Sequence, residues 1–151
     1  MTNSIPVNTI ILLQGHINSG KAATIRKLHR LLMESNYTSL ETLENSLNDF
    51  SAILEKDNRL IGITSSGSGI ISESRLDYFK EKRCRLILAA CTTVSGCVES
   101  IKEYQGYSAE FVLKTFTANT SQQERANHGD AILLFNKVQS LLQNQEQNVL
   151  E

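Results

Sequence analysis

At 151 residues the chain is long enough to bury one proper core and short for two ordinary domains, so a single domain over 1–151 is expected. Fifteen basic residues against sixteen acidic ones leave a net charge of −1. Bulk attraction to nucleic acid or to an anionic membrane is thereby excluded, and any anion site must be local. Cys84, Cys91 and Cys97 read as neither a paired disulfide set nor a zinc spacing, and no stretch reads as a signal peptide, so a reducing cytoplasmic setting is expected. No apolar run approaches the roughly 20 residues of a membrane helix.

Residues 1–8 form a polar lead-in. The next six, TIILLQ, read as a first strand, nearly continuous in Ile and Leu as in a strand buried on both faces. Gly15, His16, Ile17, Asn18, Ser19, Gly20 and Lys21 follow, and then a helix with Ile25, Leu28 and Leu32 on one face, ending near Ser35 and Asn36. Gly15 and Gly20 permit backbone angles closed to other residues, so successive N–H groups can turn inward around an anion. The helix start adds unpaired N–H groups and its positive dipole end. Lys21 adds a mobile charge, and Ala22 and Ala23 continue into the helix.

This order of strand, glycine loop and helix resembles the phosphate-binding loop of the P-loop nucleoside triphosphate hydrolase superfamily, whose pattern is Gly, four residues, Gly, Lys and then Ser or Thr. The resemblance implies that residues 15–23 bind a nucleotide such as ATP or GTP, or another phosphorylated small molecule. It also implies that Lys21 is the catalytic lysine if a phosphoryl group passes to a small acceptor, as in a nucleoside or nucleotide kinase. The chain departs from the pattern at Ala22, where the family's hydroxyl ligates magnesium. Ala23 has no hydroxyl either, and Thr24 lies about 200 degrees round the helix from Ala22. Magnesium is therefore expected to add little.

Further on, Thr38 and Glu41 form a capping-box pattern before Leu40, Leu43 and Leu47, which predicts a second helix. Residues 50–55 and 59–64 read as a hairpin joined through Lys56, Asp57 and Asn58. A loop of Ser65, Ser66, Gly67, Ser68 and Gly69 suits both ligand approach and ordinary exposure. It leads to a helix over 72–82 with Leu76 and Phe79 inward. Residues 85–91 form an apolar strand. Thr92, Thr93, Val94, Ser95 and Gly96 lead from it into a helix aligning Val94, Val98 and Ile101, broken at Gln105, Gly106 and Tyr107. The last strand is predicted over 110–117 and the last helix over 120–142. Ser121 and Glu124 form its capping box, Ile132, Phe135, Val138 and Leu142 its core stripe, and a fraying polar tail begins near residue 144.

The expected fold is an α/β three-layer sandwich, P-loop-like, with a mostly parallel sheet of about five strands including one antiparallel hairpin strand. Such sheets bind ligands at the carboxyl edge of their strands, which brings together Ser65, Ser66, Gly67, Thr92, Thr93 and Arg125 as a candidate substrate edge. No strand ends in an aspartate placed to hold a metal; Asp49, Asp57 and Glu73 are poorly positioned, so no metal ligand is assigned. Arg75, Lys80, Lys82, Arg83 and Arg85, interleaved with Glu73, Asp77 and Glu81, read as a solvated helix face with local ion pairs. His16, His29 and His128 share no metal spacing, and Cys91 and Cys97 have no base beside them. Two functions fit: a phosphate-ligand binder with kinase-like transfer, or a non-catalytic interaction module of the same fold. An edge strand of the hairpin could pair with a second copy, so a homo-oligomer is compatible with the sequence.

Overall fold

The computed structural model describes residues 8–16, 19–46, 49–66, 71–92 and 96–150. In chain order these form β1 (Thr9–Gly15), α1 (Lys21–Glu34), β2 (Thr38–Ser46), β3 (Asp49–Lys56), β4 (Arg59–Ser65), α2 (Glu73–Glu81), β5 (Cys84–Thr92), α3 (Cys97–Lys102), β6 (Ser108–Leu113) and α4 (Thr120–Leu150). The strands make one six-stranded mixed sheet in the order β2-β3-β4-β5-β1-β6. β4, β5, β1 and β6 pair in parallel, while β3 runs antiparallel to both of its neighbours.

β1 sits between β5 and β6, with a helix layer on each face. Ile11 and Leu13 point to one face, under Ile25, Leu28 and Leu32 of α1 and Leu134 and Val138 of α4. Ile10 and Leu12 point to the other, under Leu76 and Phe79 of α2 and Ile101 of α3. Burial on both sides explains why β1 is nearly uninterrupted Ile and Leu. α2 approaches so closely that a Cβ on Gly62 would lie 2.6 Å from the Phe79 ring. Gly62→Val is therefore expected to lower stability by about 1–3 kcal/mol, from overpacking. An unchanged urea midpoint would show that Phe79 has room to move.

The predicted helix at 38–47 is instead a strand, which takes the sheet from about five strands to six. β2 pairs along β3, with register irregularities between Ser39 and Glu41 and between Glu44 and Ser46. These breaks disturb the period-two pattern that would have marked it as a strand. Leu40 and Leu43, expected on a buried stripe, are exposed on this edge strand, and Leu47 lies outside the described residues. The open backbone of β3 needs partners, and that pairing overrides a local capping signal. The hairpin itself falls where expected, turning through Asp57 and Asn58, both at positive φ (54° and 66°), as its tight two-residue turn requires.

The last strand begins and ends earlier than expected. After Leu113 the Lys114 N–H still donates to the Gln14 carbonyl (2.8 Å), and the Thr115 N–H then donates to the Asp130 carboxylate (2.8 Å) in place of a strand partner. α4 is capped by Asn119, whose Oδ1 accepts the Ser121 N–H at 2.9 Å, in place of a Ser121 capping box. Its inward stripe is Ala131, Leu134, Val138 and Leu142, with Ile132 turned outward, and the helix continues through the expected tail to Leu150. Val94 lies outside the described residues. Among the described residues no helix is long and apolar enough to cross a membrane.

Cys91 and Cys97 are bridged, with Cα atoms 6.1 Å apart, which corrects the expectation of no cysteine pair. The end of β5 and the start of α3 bring them together, and a six-residue spacing carries no sign of this. Cys84 is free and buried, and burial pushes its thiol up to about 12. His29 is buried edge-on against Phe50 (5.1 Å between centroids), and its Nε2 has no partner among the described residues. Burial first, and then the Arg26 charge, hold its pKa below the ordinary value. The unfolded chain therefore takes up this proton more readily than the folded one. The stability that follows is complete above about pH 6.5 and lost as pH falls below it. His29→Leu should flatten stability between roughly pH 7 and 5; equal slopes for the two proteins would remove His29 from this account.

Candidate functional site

β1 and β6 lead into helices on one face of the sheet, while β4 and β5 lead into helices on the other. β5 and β1 are neighbours, so the chain departs in opposite directions from adjacent strand ends, and Gly15 stands in register with Thr92. Such a switch point opens a crevice at the carboxyl edge. The glycine loop lies at this crevice.

Gly15 ends β1 where a side chain has no room: a Cβ would lie 2.8 Å from Lys114 Cβ and 2.9 Å from Ser19 Oγ. Ile17 and Asn18 lie outside the described residues. The Ser19 N–H donates to the His16 carbonyl (3.3 Å), which closes the turn. Gly20 has φ of 92°, a left-handed conformation natural to glycine, and its carbonyl begins the α1 hydrogen-bond ladder at Thr24 N (2.9 Å). α1 has neither a side-chain cap nor an acidic residue in its first turn, so no carboxylate of its own neutralises the dipole end. Ser19 is 4% exposed, and its Oγ has no hydrogen-bond partner among the described residues.

Lys21 reaches back over the loop and donates from Nζ to the His16 carbonyl at 2.6 Å. Burial, followed by the nearby Lys114 charge, lowers its pKa from the ordinary lysine value. Lys114 is itself buried beside Gly15, 2.9 Å from an Asp130 oxygen. Burial alone would raise the Asp130 carboxyl, yet hydrogen bonds from Lys114 and Thr115 outweigh it and hold the group below its usual value. From the same helix Gln123 Nε2 donates to the Ser19 carbonyl (2.6 Å) and to Asn127 Oδ1 (3.0 Å). α4 thus braces the outer side of the loop.

No family model, curated protein or solved structure matches this chain.

Its site is therefore read from its own geometry. Gly15, His16, Ser19, Gly20 and Lys21 lie together at the turn from β1 into α1, with Ala22 half-buried and Ala23 exposed behind them. Thr92 borders Gly15, whereas Ser65 ends β4 and Ser66 follows it, on the far side of β5. Gly67 and Thr93 lie outside the described residues, and Arg125 is exposed in the early turns of α4. Magnesium finds a poor donor set here: Ala22 has no ligating atom, and the Thr24 hydroxyl donates to the Gly20 carbonyl (2.8 Å). Sequence reasoning missed Lys114, Gln123, Asn127 and Asp130. Nothing in their local pattern marks them: Lys114, Gln123 and Asn127 meet the loop across roughly a hundred residues of sequence, and Asp130 enters through its pairing with Lys114.

Proposed function

We propose that this chain binds a nucleotide or other phosphorylated small molecule at residues 15–23, within a divergent P-loop-like fold. The observation that carries the reading is the buried, unpartnered Ser19 hydroxyl at the uncapped start of α1. A phosphate oxygen would satisfy it, beside the uncapped first turn of α1 and Lys21. Lys21 would exchange the His16 carbonyl for a phosphate oxygen, a stronger charge-assisted partner. Gln123 and the Lys114–Asp130 pair would hold the loop's shape without touching the ligand. If a small acceptor sits beside the loop, these groups position and neutralise a transferring phosphoryl group in the manner of a small kinase. The second reading, a non-catalytic module, draws on the poor magnesium donor set and on the exposed Leu40 and Leu43 of edge strand β2, where a second copy could pair.

Thermal shift with ATP, GTP and tripolyphosphate, each with and without magnesium, tests the proposal. A ligand at 100 times its Kd should add about 2.7 kcal/mol of stability. No shift with any of them at millimolar concentration would reduce the loop to a turn. Magnesium is expected to change affinity little in the unaltered protein, and Ala22→Ser should make binding magnesium-dependent. Brisk magnesium-dependent turnover without that substitution would place the metal on other residues.

A further inference from the structure

A second region of the molecule has the character of a ligand site. Between α2 and the β2–β3 strands lies a cavity of about 440 Å³, lined in part by Leu43, Ser51, Ile53, Tyr78 and Phe79. At the carboxyl end of β4 lies another of about 320 Å³, bordered by Asp49, Thr64, Ser65 and Ser66. Both are lined by Ser72 and Arg75, so the two share these residues. Their volumes suit small organic molecules.

Arg75 was expected to lie on a solvated, ion-paired helix face, and its surroundings are different. It is half-buried, and its Nη1 donates to the Ser51 hydroxyl. Ser51 Oγ in turn shares a buried 2.8 Å hydrogen bond with Thr64 Oγ1, so the guanidinium is anchored along one edge. No carboxylate among the described residues forms an ion pair with it. The neighbouring acids are engaged elsewhere: Asp77 accepts from the Tyr104 hydroxyl (2.6 Å), and Glu41 accepts from Tyr78 (2.6 Å) and lies 3.9 Å from Lys82 Nζ. Among the described residues the guanidinium's hydrogen bond is to Ser51, which leaves a fixed cation in a trough lined by Ile53 and Phe79. A half-buried, unpaired guanidinium favours an anion of complementary planar shape.

We propose that this trough binds a small organic acid, with its carboxylate on Arg75 and its apolar body along Leu43, Ile53 and Phe79. Charge selects a monoanionic carboxylate over a phosphate ester. Among the described residues Arg75 is the one cation lining the two cavities, Lys82 is drawn to Glu41, and the Glu41 and Asp49 carboxylates in the two linings oppose a second negative charge. The site stands apart from the glycine loop, since β5 lies between β4 and β1, a lateral distance of about 10 Å. The proposal does not depend on phosphate binding there.

Calorimetric titration of the full chain with phenylacetate, phenylacetamide and phenyl phosphate tests it. Phenylacetate should bind saturably, and the amide and the phosphate at least tenfold more weakly. Arg75→Gln should weaken phenylacetate tenfold or more, while Lys21→Ala leaves it unchanged. Should Arg75→Gln fail to fold, Ser74→Trp, at an exposed position lining the trough, should block binding by filling it. Equal binding of acid and amide, unchanged affinity in either trough variant, loss of phenylacetate with Lys21→Ala, or no phenylacetate binding at millimolar concentration would each overturn the proposal.

Discussion

Asp130→Ala is expected to remove about 3–5 kcal/mol of folding stability, the largest single effect among polar positions. The Lys114 side chain is fully buried, and Asp130 balances its charge while also accepting from the Thr115 backbone and hydroxyl. Without the carboxylate, a buried ammonium and the Thr115 N–H lose their partner together. The pH dependence has a definite sign. The folded pKa of Asp130 is depressed, so its contribution is present above the unfolded value near pH 3.9 and lost as pH falls through the folded one. Replacing the pair together, Lys114→Met with Asp130→Leu, should recover much of the loss, since a matched apolar pair leaves no stranded charge. Urea titration of the three proteins decides the matter. A single variant as stable as the parent would mean that Lys114 reaches water. Because Lys114 packs beside Gly15, Asp130→Ala should also loosen the loop and weaken polyphosphate binding.

Lys21→Ala should weaken polyphosphate binding by about 10- to 100-fold, the worth of a direct hydrogen bond from a charged donor. The folded protein should lose little, because the bond from Nζ to the His16 carbonyl is exposed and water replaces it readily. Affinity in the parent should decline at a lower alkaline pH than an ordinary lysine would give, since burial and Lys114 make Lys21 easier to deprotonate. Parent-like affinity in Lys21→Ala, measured by titration with tripolyphosphate, would place the anion elsewhere.

Much of the fold was legible in local pattern. β1 announced itself because a strand covered on both faces has no polar positions to alternate with. α1 showed its apolar stripe because Ile25, Leu28 and Leu32 recur at helical spacing on the buried side. The β3–β4 turn was readable because Asp57 and Asn58 are residue types that tolerate positive φ. β2 was misread because its irregular pairing breaks the alternation and its leucines are exposed. Its identity comes from the strand beside it.

For the site, the sequence determined the glycine loop: two glycines, a lysine and a helix start are consecutive, so their chemistry is local. Tertiary structure decided what surrounds them. Strand order placed Thr92 against Gly15 and set Ser65 and Ser66 beyond β5. Packing of α4 brought Gln123 and Asn127 against the loop, and buried Lys114 with Asp130 beneath it. Arg75 looked like one more surface charge until packing beside β3 set its guanidinium on Ser51, with no ion pair to an acid among the described residues. The reason is the same in each case: charge pairing and burial depend on distances between segments remote in sequence, and no local period encodes them.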